Sequence, residues 1–281
     1  MPAPRDAVSL QHMASPVPTG ADRARQVGVT VSEVLCVLGT LVGVGVIGGS
    51  EVPESSGGAL AADATLLAPA GPAFSIWSVI YAGLAAYTVW QWLPGQATDE
   101  RHRSTGWLAA ASMLLNATWL LVTRQDWIWL SVVVIAALVV VLGVLVRRLT
   151  ERPSFGVVET LVVDGTFGAY LGWVCVATCA NVTAALVASG VDPGPPVSEA
   201  WAVAVLAVVA GIGVLLAHRL DGRYAVALTI AWGLFWIAVG RTTDQPESTV
   251  TAWAAVAAAV VVVVATARQK GRYRGPVDGA A

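Results

Sequence analysis

Residues 127–148 read WIWLSVVVIAALVVVLGVLVRR. Two tryptophans open the run, about eighteen apolar or small residues follow, and Arg147-Arg148 closes it. A helix needs ~20 mostly apolar residues to cross the ~30 Å of hydrocarbon in a bilayer. Aromatic residues at one end and arginines at the other are the marks of a membrane-crossing segment. Working outward, seven more runs of this kind appear, and the expected spans are 27–48, 74–93, 106–123, 127–147, 158–189, 201–218, 223–240 and 250–267. The breaks between them carry Pro, Gly and charge, as at Pro94-Gly95, Arg124-Gln125-Asp126 and Asp192-Pro193-Gly194-Pro195-Pro196. Backbone in lipid must satisfy its own hydrogen bonds, so the spans are helices. Long alternating strands of the barrel type are absent from the sequence.

The composition agrees. Of 281 residues, 56% are hydrophobic and 12% charged, with mean hydropathy +0.71. So little charge would not cover the surface of a water-soluble protein of this size. The chain reads as an all-α integral membrane protein with about eight transmembrane helices and the lipid bilayer as its first partner. Nucleic-acid binding and a disulfide scaffold are excluded. Cys36, Cys175 and Cys179 all fall in apolar runs, where they pack as small residues. The first run is too long for the core of a cleaved signal peptide and reads as a retained helix.

Basic residues set the orientation. Under the eight-span count, 14 of the 16 Lys and Arg fall on one side, leaving only Arg124 and Arg241 on the other. One missed span would scramble this parity. Both termini are therefore expected in the cytoplasm, in a multi-pass protein of the inner (plasma) membrane, with the acidic loop 49–73 outside. The chain divides into a tail (1–26), five helices (27–190), a Pro/Gly-rich linker (191–200), three more helices (201–267) and a basic tail (268–281). The linker predicts that residues 1–195 insert and bind ligand without the rest.

Two acids lie in or near apolar runs. Asp164 sits in the early turns of the long fifth span and reads as an interfacial acid near Arg147 or Arg148, or as a functional intramembrane acid. Glu33, one or two turns into the expected first span, has the same two readings.

Twelve tryptophans are several times ordinary usage. Seven (Trp90, Trp92, Trp107, Trp127, Trp129, Trp201 and Trp253) sit at span ends and fit an interfacial aromatic belt. Trp119, Trp173, Trp232 and Trp236 lie deeper, with Trp77 between the two groups. Helical spacing groups Phe74, Trp77, Tyr81, Ala85 and Thr88 on one stripe, Ser112, Asn116, Trp119 and Thr123 on a second, and Tyr170, Trp173, Ala177 and Asn181 on a third. Aromatic surface beside an amide or hydroxyl suits a pocket for a flat, mostly apolar ligand. It equally suits helix packing in lipid, where buried Asn ties helices together. Spacing alone leaves both open. Gly39/Gly43 and Gly168/Gly172 mark close-approach faces, either within the bundle or between two copies in a homodimer.

The run Pro69-Ala70-Gly71-Pro72-Ala73-Phe74-Ser75-Ile76-Trp77-Ser78-Val79-Ile80-Tyr81 resembles the entry to the second helix of the translocator protein family. That family includes the tryptophan-rich sensory proteins and is also called peripheral benzodiazepine receptor-like. Leu115-Asn116-Ala117-Thr118-Trp119 resembles its third-helix Asn-x-x-Trp motif, and Tyr170 to Asn181 its fifth-helix order of Trp, Ala and Asn. The resemblance covers about residues 27–190. It departs at Ala169, where the family often has Pro, at Leu120-Leu121-Val122-Thr123, where it is aromatic-rich, and in the three added helices.

The resemblance implies a five-helix bundle that binds hydrophobic ligands, porphyrins and sterol-like molecules among them, for transport or sensing. It carries over Phe74, Trp77, Tyr81, Asn116, Trp119, Trp173, Ala177 and Asn181 as lining positions and loop 49–73 as a lid. No cofactor follows from the residues beyond a porphyrin-type ligand. His12, His102 and His218 all fall on the cytoplasmic side of the expected topology, so haem in an outer pocket would find no His ligand there. No nucleophile–base pair or phosphate loop is visible, which argues against an enzyme. The alternatives are a secondary transporter of a small solute, with Asp164 or Glu33 as its proton site, and a structural membrane partner.

Overall fold

The computed structural model describes residues 17–43 and 58–273. The described chain is helical, and eight of its helices are long and apolar enough to cross a membrane. They are α1 (Gly20–Gly43), α2 (Ile76–Trp90), α3 (Glu100–Arg124), α4 (Ile128–Glu151), α5 (Val157–Ala188), α6 (Val197–Arg219), α7 (Tyr224–Thr243) and α8 (Thr249–Tyr273). A 3-10 turn, Gly71–Ser75, leads into α2. The helices alternate in direction. One end of the bundle carries most of the arginines and is called here the basic end; the segment 58–75 lies at the other end.

Three helices extend beyond the spans that hydropathy marks. The helix α1 begins at Gly20 rather than 27, because Thr19 and Asp22 cap it reciprocally. Asp22 N donates to Thr19 Oγ1 (3.2 Å), and Thr19 N donates to Asp22 Oδ2 (3.0 Å). Asp99 does the same service for α3, accepting from Arg101 N (2.7 Å) and His102 N (3.3 Å), so this helix starts at Glu100 and not 106. The last helix runs to Tyr273. These starts are polar, so an apolar-run criterion passes over them. They are nevertheless buried. Arg25 Nη2 donates to Ala97 O (2.8 Å), Arg103 grips Asp22 (2.9 and 2.8 Å), and Gln26 and Gln91 exchange side-chain-to-carbonyl bonds (2.5 and 3.1 Å).

The helix α5 is interrupted by a π turn, Thr160–Gly165. Five residues of regular α-helix would set Glu159 and Asp164 about 140° apart, at ~100° per residue. A π turn, bonded i to i+5, winds more slowly and so narrows that angle. Both carboxylates then reach Arg101: Glu159 pairs with its Nη1, and Asp164 Oδ1 lies 2.7 Å from its Nη2. Arg223 Nη1 also reaches Asp164 at 2.7 Å. Asp164 is thus a structural ion-pair residue at the basic end. Its partners are Arg101 and Arg223 rather than Arg147 or Arg148. Arg147 pairs with the exposed Glu151, and Arg148 donates to Ser104 O.

Packing closes α1, α3, α4, α5 and α2 into a ring, with α2 seated between α1 and α5. The helix α7 packs on the outside of α5, α8 packs on α7, and α6 packs on α8. Both small-residue faces are used inside the chain. An added Cβ at Gly39 would lie 2.9 Å from Ala117 Cβ on α3, and one at Gly172 would lie 2.3 Å from Val226 O on α7. Neither face is free for a second copy. The last three helices and the first five share one hydrophobic core across residues 191–200.

Candidate functional site

The three tryptophan stripes meet, but not as one surface. Phe74 in the turn that leads into α2, and Trp77 and Tyr81 on α2, face Tyr170 and Trp173 on α5. Trp77 stacks on Tyr81 (centroids 5.3 Å) and meets Tyr170 (5.8 Å) and Trp173 (6.2 Å) edge-on; Phe74 meets Trp173 at 5.8 Å. These offset and T-shaped contacts are the favoured aromatic geometries. Asn116 joins from α3, its Nδ2 donating to Tyr81 Oη at 3.0 Å and lying 3.5 Å from Cys36 Sγ of α1. Tyr170 Oη donates to Ser112 O (3.2 Å). Side chains of α1, α2, α3 and α5 therefore converge on one membrane-embedded cluster.

Trp119 and Asn181 face elsewhere. Trp119 Nε1 donates to Asn181 Oδ1 (2.8 Å), while Asn181 Nδ2 donates to Ser131 Oγ (2.9 Å). The amide of Asn181 is consumed in tying α3, α4 and α5 together, the packing role that buried Asn commonly plays in lipid. Ala177 lies half-buried one turn from each of Trp173 and Asn181. Of the eight expected positions, Phe74, Trp77, Tyr81, Asn116 and Trp173 thus form one cluster, and Trp119 and Asn181 a second.

The first cluster holds polar atoms that the described residues leave unmet. Trp173 is 1% exposed and its Nε1 has no acceptor; Asn116 Oδ1 has no donor. The same is true of both carboxylate oxygens of Glu33, one turn before Cys36 on α1. Sequence reasoning leaves Glu33 as either an interfacial acid or a functional intramembrane one, with the helix starting at 27. With α1 beginning at Gly20, Glu33 is the fourteenth of 24 residues. It shares a face with Val29, Cys36 and Thr40, a spacing visible in the sequence once the helix is extended.

The cluster is filled by its own rings, and its outer side is the least secured. The helix α2 is the least buried of the eight, and Phe74, Trp77 and Tyr81 are each only half-buried. Its start is pinned from α7: Ala70 N donates to Trp236 O (3.1 Å), Trp232 Nε1 to Ala73 O (2.9 Å), and Arg241 Nη2 to Ala62 O (3.0 Å). Toward that end, a cleft of about 410 Å³ opens between Gly58, Ala59, Ala64 and Thr65 and the last turns of α5 at Ala184, Val187 and Ala188. Residues 44–57, which include the first nine residues of the expected lid, lie outside the described residues.

Of the tryptophans assigned to the belt, all but the half-buried Trp90 are exposed; Trp107 lies two turns inside α3 and the others near helix ends. Among the described residues, no three His, Cys, Asp or Glu side chains gather as a metal site. His102 is buried at the basic end and His218 bonds Gln269 there, while His12 lies outside the described residues.

A family model described as TSPO-like protein matches residues 30–267, running through the 191–200 linker and the three later helices. No curated protein and no solved structure matches. An all-helical chain of eight membrane-length helices, matched over most of its length, is a multi-pass membrane protein of the TSPO-like family.

Proposed function

We propose that this protein binds a flat, hydrophobic ligand, tetrapyrrole-like or sterol-like, inside the α1/α2/α3/α5 ring, and transports or senses it. The observation that carries the reading is the convergence of aromatic rings from α2 and α5 around polar atoms left without partners. A buried donor or acceptor without a partner costs about 1–3 kcal/mol, and lipid offers no water to relieve it. A ligand slipping between α2 and α5 would exchange ring–ring contacts for ring–ligand contacts and give those atoms partners. The half-buried Trp77 and Tyr81 are the side chains that must move. The cleft above Ala184 lies at the end of the bundle where loop 49–73 would act as the lid.

Absorbance and tryptophan-fluorescence titration of the purified protein with metal-free protoporphyrin tests this. Trp173→Ala should weaken binding by ~10-fold or more, since ring stacking adds roughly 0.5–1.5 kcal/mol to the buried area and 1.4 kcal/mol is tenfold. Trp173→Phe should be milder. Trp127→Ala, on an exposed belt residue, should change nothing. If Trp173→Ala and Trp127→Ala are equally silent in folded protein, the cluster is packing alone.

The alternative of a proton-coupled transporter loses Asp164, which two arginines neutralise, and keeps only Glu33. For orientation we propose the inner membrane with the basic end in the cytoplasm, following the 14-to-2 bias of Lys and Arg. A reporter fused after Ala281 should then behave as cytoplasmic and one inserted near Gly57 as external; a periplasmic C-terminus would overturn the orientation.

A further inference from the structure

The arrangement of unmet atoms around Glu33 points to a charge preference, and we infer that the site selects a flat apolar molecule bearing a cationic or N–H donor group, with Glu33 as its anchor. The inference rests on the proposed ligand site and names the chemistry of its occupant.

Glu33 is 6% exposed near the middle of α1. At ~1.5 Å per residue it lies ~10 Å beyond Gln26, in the polar start of the helix, and ~15 Å before Gly43. The side chains beside it are neutral: Cys36 lies one turn along α1, and Asn116 of α3 meets both Cys36 and Tyr81 of α2. Among the described residues neither oxygen accepts a hydrogen bond, and no Arg, Lys or His pairs with the carboxylate. The contrast with the basic end is direct, since Glu159 and Asp164 are equally buried and both are paired with arginine. An acid within a membrane helix marks a functional site by default, with its partner to be named. Here the described residues supply no partner, and a ligand can.

The count of unmet atoms gives the ligand's polarity. Three are acceptors, the two Glu33 oxygens and Asn116 Oδ1, and one, Trp173 Nε1, is a donor. A ligand that fits must bring chiefly donors. An ammonium or a protonated ring nitrogen gives Glu33 a charge-assisted hydrogen bond, about twice as strong as a neutral one. A ligand carboxylate set against Glu33 gains no such bond and is costly to bury in a medium of low dielectric, so a ring that carries both, such as protoporphyrin, must turn its N–H donors to Glu33 and its acid edge away. Specificity thus arises from a buried carboxyl that a donor-bearing or cationic partner satisfies and an acidic one does not.

Three tricyclic probes of nearly one shape separate charge from area: aminoacridine as the cation, anthracene as the neutral ring and anthracene carboxylate as the anion. Each is titrated by fluorescence into the purified full-length protein in detergent or nanodiscs. Aminoacridine is expected to bind at least ~10-fold tighter than anthracene carboxylate, the factor that one charge-assisted hydrogen bond commands. Glu33→Gln, close to isosteric, should abolish that preference, while Glu33→Asp should keep part of it. Thermal unfolding of each variant checks the fold. If the three probes bind alike, or if Glu33→Gln keeps the preference, Glu33 is an uncharged structural acid and the inference fails while the site stands. If none of the three binds the wild-type protein, the ligand site and the inference fall together.

Discussion

Arg101→Ala should destabilise the protein by on the order of 3–5 kcal/mol, the usual cost of removing one member of a buried ion pair. The guanidinium is 4% exposed and reaches two carboxylates on α5 that are almost as buried. Without it, Glu159 keeps only the backbone N–H of Phe155 at 2.8 Å, and Asp164 keeps only Arg223. Arg101→Lys should rescue little, because a single ammonium does not replace a fork that holds two acids at once. The control is Arg147→Ala. Arg147 and Glu151 are an i,i+4 pair, both more than half exposed, and such pairs contribute about 0.3–0.5 kcal/mol. Thermal unfolding in nanodiscs reads the difference, which in a multi-helix protein is best taken from denaturation midpoints compared among variants. If Arg101→Ala and Arg147→Ala shift the midpoint equally, the pairs at the basic end hold nothing together.

The same residues show what one sequence yields and what it withholds. Apolar run length and the side-to-side bias of arginine were enough for eight helices, because lipid imposes both rules on every span. The buried polar helix starts were not legible in that way. Thr19, Asp22, Asp99 and Arg101 read as loop to an apolar count, yet the capping of α1 and α3 extends both helices. That extension moves Glu33 from a helix end to the middle of α1. Helix pairing was also beyond reach. Spans apolar on all sides, such as α4 and α6, give no preferred face, so nothing in the sequence says that α7 rather than α6 covers α5. For the site, the stripes on α2 and α5 met as spacing suggested. The Asn116–Trp119 stripe split, since Trp119 lies three residues on and turns to Asn181 and α4. An amide and an indole at helical spacing do not reveal which of two neighbouring helices each will face.

Gly172→Leu should cost at least the ~1–3 kcal/mol typical of overpacking, and should act at a distance on the aromatic cluster. A Cβ there would lie 2.2 Å from Thr229 Oγ1 and 2.3 Å from Val226 O. A threonine hydroxyl can swing away, but a carbonyl within α7 moves only if the helix does. The helix α7 carries the three hydrogen bonds that hold Ala62, Ala70 and Ala73, and so sets where α2 begins. Pushing α7 outward therefore loosens Phe74 and Trp77 as well as the α5 contact. Protoporphyrin affinity is expected to fall along with the unfolding midpoint, although Gly172 touches no ring of the cluster. A chain ending at residue 195 lacks the same three hydrogen bonds and should lose affinity too, even where it inserts. Gly211→Leu is the matched control, on an exposed position of α6 with nothing among the described residues within 4 Å of an added Cβ. It should leave both readouts near wild type. If Gly172→Leu lowers the midpoint but leaves affinity intact, the aromatic cluster is held by α2 and α5 alone, and the contacts from α7 serve stability only.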